Sequence, residues 1–172
     1  MRFFLPLVFS AFLLVSSCTN KPNDTMLTTL YFIRHAEKDR SNPENKNPHL
    51  TTTGLNRAQY WSEIFKNVKF DAIYSTDYNR TIETAKPTAN SNNLTIQIYD
   101  AIQLDTRNIL ENNKGNNVLI VGHSDTTPKF VNKFLGTDSY LDIDDSNNGN
   151  LYILTITDTM VTDLLLTVNP QQ

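Results

Sequence analysis

"LYFIRHAEKDR", residues 30–40, decides how the rest of the chain is read. Leu30 to Ile33 is a short run of large apolar residues, the composition of a strand buried on both faces. It ends abruptly in Arg34 and His35. In open α/β sheets, ligands bind beyond the carboxyl ends of the strands, so a cation and an imidazole at a strand tip mark a place to look for chemistry.

Outward from this strand, two periodicities alternate. "LTTTGLNRAQYWSEIFKNV" carries Leu55, Ala58, Trp61, Phe65 and Val68 at helical spacing, with a threonine among Thr51–Thr53 to cap it. "FDAIYST" (70–76) is a short strand. "DYNRTIETAKPTANS" is helical, with Asp77 placed to cap it and Pro87 expected to kink or shorten it. "LTIQIYD" is a strand, "LDTRNILENNKG" a helix ending at Gly115, and "NVLIVGHS" the most strand-like run in the chain. "TTPKFVNKFLG" is a helix stopped at Gly136, and "NLYILTIT" and "VTDLLLTV", joined by "DTM", form an antiparallel pair. The alternation predicts an α/β three-layer sandwich: a mostly parallel central sheet with helices on both faces. Tyr31, Phe32, Trp61, Phe65, Phe130 and Phe134 are expected in its core.

If the sheet is parallel, one edge gathers Arg34 and His35 from the first strand, Arg80 from just after the second, and His123 from the end of "NVLIVG". Such a cluster repels itself unless an anion holds it together. Paired guanidiniums grip phosphate oxygens, and an imidazole beside them is a nucleophile toward phosphorus.

Four ordered blocks resemble the histidine phosphatase superfamily, the phosphoglycerate-mutase-like fold. They are "RHAEK" (34–38), "LTTTGLNRA" (50–58), "YSTDYNRTIETA" (74–85) and "VGHSDTTP" (121–128). The resemblance spans nearly all of the chain from residue 28. It implies that His35 is the nucleophile that becomes phosphohistidine. Arg34 and Arg80 would hold the phosphoryl oxygens, and His123 would be the second histidine at the phosphoryl group. The usual "RHG" start is "RHA" here, with Ala36. The family draws its acid from the segment between the second arginine block and "GHS", which leaves Asp105 and Asp100, with Asp105 preferred. No metal or cofactor is implied. Glu37 and Glu83 read as structural carboxylates, Arg57 as the partner of a carboxylate and His49 as a solvated loop residue.

Other chemistries fit less well. "GHSDT" lacks the second glycine of a nucleophile elbow, and no histidine follows Ser124. "HAE" lacks the P-C-x-x-C of zinc deaminases. Glycine fingerprints for nucleotide cofactors are missing, and three histidines without helical ligand spacing make a poor metal site. Mutase activity would need a second phosphate site, for which there is no added basic insertion.

The 172 residues fit one domain, and the net charge of -3 argues against a nucleic-acid surface. "NSNN", "ENNKGNN" and "DDSNNGN" read as solvated turns. The start is a separate object: Arg2, an apolar stretch from Phe3 to Val15, then small residues, which is a secretory signal pattern. Val15, Ser16 and Ser17 before the single cysteine, Cys18, resemble a bacterial lipobox. That implies a signal over 1–17, a lipidated Cys18 with a polar linker over 18–27, and the catalytic domain over 28–172. The expected protein is a membrane-anchored lipoprotein of the bacterial cell envelope, acting on a small phosphorylated substrate or a phosphoprotein. The competing expectation is a surface lipoprotein that binds a phosphate ligand with little or no turnover.

Overall fold

The computed structural model describes Met1, residues 26–103 and residues 105–169. The signal read over 1–17, apart from Met1, and Cys18 lie outside the described residues. So does most of the linker; its last residues, Met26 and Leu27, are exposed.

The elements alternate as expected: β1 (Thr28–Arg34), α1 (Thr52–Ile64), β2 (Ala72–Ser75), α2 (Asn79–Asn92), β3 (Ile96–Ile98), α3 (Thr106–Asn112), β4 (Asn117–Gly122), α4 (Thr126–Leu135), β5 (Asn150–Ile156) and β6 (Val161–Thr167). They build one six-stranded sheet of order β3-β2-β4-β1-β5-β6. The first four strands run parallel, and β5 and β6 add an antiparallel pair. β6 closes the far edge and is exposed along its length.

Side-chain alternation along β1 and β4 sorts the core into two layers. Phe32, Val118 and Ile120 pack with Ile109 of α3 and with Phe130 and Val131 of α4. Ile33, Leu119 and Val121 pack with Trp61 of α1, with Phe65, and with Ala85 and Ala89 of α2. The sheet is therefore covered on both faces, the three-layer sandwich the alternation predicts. Phe32, Trp61, Phe65 and Phe130 are buried, while Tyr31 and Phe134 pack partly exposed at the margins.

Thr51 caps α1, its hydroxyl accepting from Gly54 N at 3.1 Å. The expected Asp77 cap of α2 and its expected shortening at Pro87 both fail. Its N-cap is Tyr78, so Asp77 sits one residue too early and makes no cap. The helix also runs through Pro87. Burial of Thr84, Ala85, Thr88 and Ala89 outweighs the single intrahelical bond that proline removes. α3 ends at Asn112, with Gly115 (φ +79°) in the turn that leads into β4. α4 stops at Gly136 in the left-handed conformation, as its position predicts.

Candidate active site

β4 lies between β1 and β2, with Arg34 opposite Gly122 and Ser75 opposite Val121. The register brings three strand tips side by side: Arg34-His35, Thr76 and His123. They line a cavity of about 630 Å³ together with Arg80 from the first turn of α2.

His35 is pinned through its backbone by three segments. Its N–H donates to Gly122 O at 2.9 Å and its carbonyl accepts from Asn148 Nδ2 at 2.8 Å. The next amide, Ala36 N, donates to Thr84 Oγ1 at 2.9 Å. The ring is also oriented: Nδ1 lies 2.7 Å from the carbonyl oxygen of Ala36. A carbonyl only accepts, so Nδ1 carries the proton and Nε2 keeps its lone pair. Burial, and then the nearby Arg34, His123 and Arg80, hold the imidazole neutral, with a pKa lowered to about 3 despite the bond to Ala36.

His123 stands 5.6 Å from His35, centroid to centroid. Its Nδ1 is 3.3 Å from Arg80 Nη2, which only donates, so Nδ1 accepts. Nε2–H then donates to Thr76 Oγ1 at 2.9 Å, and Thr76 lies 2.9 Å from Thr81 Oγ1. Burial and Arg80 lower this imidazole to about 4.

The two arginines are held differently. Arg34 Nη1 donates to the carbonyls of Asp144, Asp145 and Asn147 at 2.9, 3.2 and 3.0 Å, and Nη2 to Asp145 Oδ1 at 2.6 Å. Arg80 lies over the Tyr78 ring, 4.3 Å from its centroid. In both, Nε is buried without a hydrogen-bond partner among the described residues. A buried guanidinium donor left unpaired is costly unless a ligand supplies the acceptor.

The structure thus brings Arg34, His35, Arg80 and His123 together. It does not bring Asp105. That residue lies outside this cavity and caps α3, its Oδ1 accepting from Asn108 N at 3.0 Å. Asp100 does line the cavity, at the end of β3, where its Oδ1 accepts from Ile102 N at 2.8 Å.

Other residues at the site carry no clear sequence signal. "DDSNNGN", read as a solvated turn, instead wraps Arg34 and buries Asn148. Thr84 sits in the second arginine block, but its bond to Ala36 N depends on how α2 meets β1. Arg57 pairs with Glu37 at 2.7 Å as its type suggests. His49 is exposed but not purely solvated, because it contacts Glu83 Oε1.

Residues 30–103, which include Arg34, His35 and Arg80, match the profile of the family described as Histidine phosphatase superfamily (branch 1). No curated protein matches the chain. Among solved structures, a phosphoglycerate mutase from Bacillus anthracis str. Sterne aligns with TM-score 0.65 at 15% identity, covering 84% of this chain and 94% of that one. The protein histidine phosphatase SixA complexed with tungstate aligns with TM-score 0.64 at 15% identity over 81% and 96%. A phosphoserine phosphatase from Entamoeba histolytica, in complex with phosphoserine, aligns with TM-score 0.60 at 14% identity over 76% and 95%. At these identities the likeness is one of fold. Residues 30–103 are thus similar to the histidine phosphatase superfamily, and the described residues adopt the fold that these phosphatase and mutase structures share.

Proposed function

We propose that the protein is a metal-independent phosphatase that hydrolyses a phosphomonoester, or a phosphorylated side chain, through a phosphohistidine on His35. One observation carries this reading: two arginines, each with a buried Nε that has no partner among the described residues, line one cavity with an imidazole whose Nδ1–H is already committed to a carbonyl. The phosphoryl group supplies the missing acceptors. His35 Nε2 attacks phosphorus in line, the P–N bond forms and the ester P–O bond breaks. Arg34 and Arg80 neutralise charge on the equatorial oxygens, the largest contribution expected in phosphoryl transfer. His123 holds Arg80 in place.

The proton for the leaving oxygen is assigned to Asp100, the one of the two candidate carboxyls that faces the cavity. Its carboxylate then takes a proton from the water that cleaves the P–N bond, which releases phosphate and restores neutral His35.

The test is hydrolysis of para-nitrophenyl phosphate by the full chain, with and without EDTA, beside His35→Ala. Activity that survives EDTA and vanishes in the variant supports the reading. Phosphate binding without turnover in the wild type would replace it with a phosphate-binding lipoprotein.

We further propose lipid attachment at Cys18 and residence in the bacterial envelope. Geometry is compatible with such a tether. β1 enters the sheet at Thr28 and reaches the site only at Arg34, roughly 20 Å away at about 3.3 Å per residue. A tether there would join β1 at the end opposite the cavity. Labelled fatty acid incorporated into the wild type but not into Cys18→Ser is the expected result, and equal labelling would reject it.

A further inference from the structure

The cavity has an apolar side that the phosphoryl chemistry does not use. Large apolar residues exposed to solvent are normally scattered. Here three of them line the same cavity: Tyr78 at 40% exposure, Ile98 at 54% and Ile102 at 91%. All three are held in place. Tyr78 has Arg80 over its ring at 4.3 Å and meets the His123 ring edge-on at 5.1 Å, so it borders the phosphoryl-binding groups directly. Ile98 closes β3, and the following amide, Tyr99 N, donates to Ser75 O at 3.0 Å. Ile102 is set by its N–H to Asp100 Oδ1.

Charge points the same way. Beyond the two arginines, Lys38 is the one further cation lining the cavity among the described residues. It is set against four acidic residues, of which Asp145 is paired with Arg34 and Arg40 and Asp100 carries the proton for the leaving group in the proposed reaction, so Asp77 and Asp125 remain as the negative charge. A substrate carrying a second anionic group would face Asp77 and Asp125 there, whereas a neutral apolar group would take the exposed faces of Tyr78, Ile98 and Ile102 out of water.

We infer that the substrate is a monoester whose alcohol portion is uncharged and apolar, of the aryl or arylalkyl class, lying against Tyr78, Ile98 and Ile102. This rests on the phosphatase reading for turnover but not for binding, so binding tests it separately. The full chain carrying His35→Ala is titrated calorimetrically with benzyl phosphate, glycerol phosphate and 3-phosphoglycerate, which have alkoxide leaving groups of similar type. Benzyl phosphate is expected to bind about tenfold tighter than glycerol phosphate, the low end of what a hydrophobic contact discriminates, and 3-phosphoglycerate weakest. Adding Ile98→Ser and Ile102→Ser should bring the benzyl-to-glycerol ratio toward one. Because the readout is a ratio, general loss of folding does not mimic it. Equal affinities, tightest binding of 3-phosphoglycerate, an unchanged ratio in the serine variant, or no binding of any ester would each overturn the inference. If the wild type hydrolyses no ester while the ranking holds, the turnover reading fails and the inference stands.

Discussion

Arg34 Nη2 donates to Asp145 Oδ1 at 2.6 Å, and in this pair the arginine is 2% exposed while the aspartate is 64% exposed. The two ends of one ion pair therefore differ in what their removal does. Loss of Arg34 also orphans the carbonyls of Asp144, Asp145 and Asn147. Arg34→Met should lower stability by roughly 3 kcal/mol. Asp145→Asn should lower it by less than about 1 kcal/mol, because solvent screens the carboxylate. Arg40 and Arg34 hold that carboxyl down at about 2, so its small contribution is present above the ordinary carboxylate range and fades as pH falls toward 2. Urea unfolding of both variants checks the order. Equal losses would mean that Arg34 is not the structural centre of this loop.

His35 and His123 are lowered by burial to about 3 and about 4. In the unfolded chain both take up protons near pH 6.5. The unfolded state then binds more protons between those values, so stability is fully present above about 6.5 and declines as pH falls toward 4. The Cε1–H resonances of both rings should stay at their neutral positions down to about pH 5. Midpoints near 6.5 would show that burial does not govern the site.

Asp100 and Asp105 part company in kinetics. Asp100→Asn keeps the acceptor for Ile102 N and removes the transferable proton. Its kcat should fall about 100-fold on an alkyl phosphate and only a few-fold on para-nitrophenyl phosphate, whose leaving group needs little protonation. Asp105→Ala should lose about 1 kcal/mol of stability through its missing cap, with activity retained. A loss at Asp105 that depends on the leaving group would return the acid role to that residue.

Gly54 sits in the first turn of α1, where a Cβ would stand 2.2 Å from the backbone oxygen of Glu37. Alanine is the better helix former by about 1 kcal/mol. The clash is with main chain two residues after His35, however, and overpacking of this kind costs about 1–3 kcal/mol. Gly54→Ala should therefore destabilise the protein and reduce phosphatase activity together. A variant as stable as the wild type would mean that the segment after His35 yields freely.

The sequence by itself determined the layered α/β fold, because strand and helix periodicities alternate along β1, α1, β2 and onward. It also pointed to Arg34, His35, Arg80 and His123 at one edge, since Arg34, His35 and His123 end or directly follow parallel-strand runs and Arg80 opens the helix after β2. Local pattern misplaced what depends on distant packing. Pro87 sits inside a helix because Ala85 and Ala89 bury against the sheet. Asp105 and Asp100 look alike in sequence, yet the turn after β3 sends one to a helix cap and the other to the cavity. The loop that grips Arg34 lies 110 residues further along the chain and bonds it mostly through carbonyl oxygens. Those acceptors are the same whatever the side chain, so only the tertiary structure could decide that an asparagine-rich turn holds Arg34.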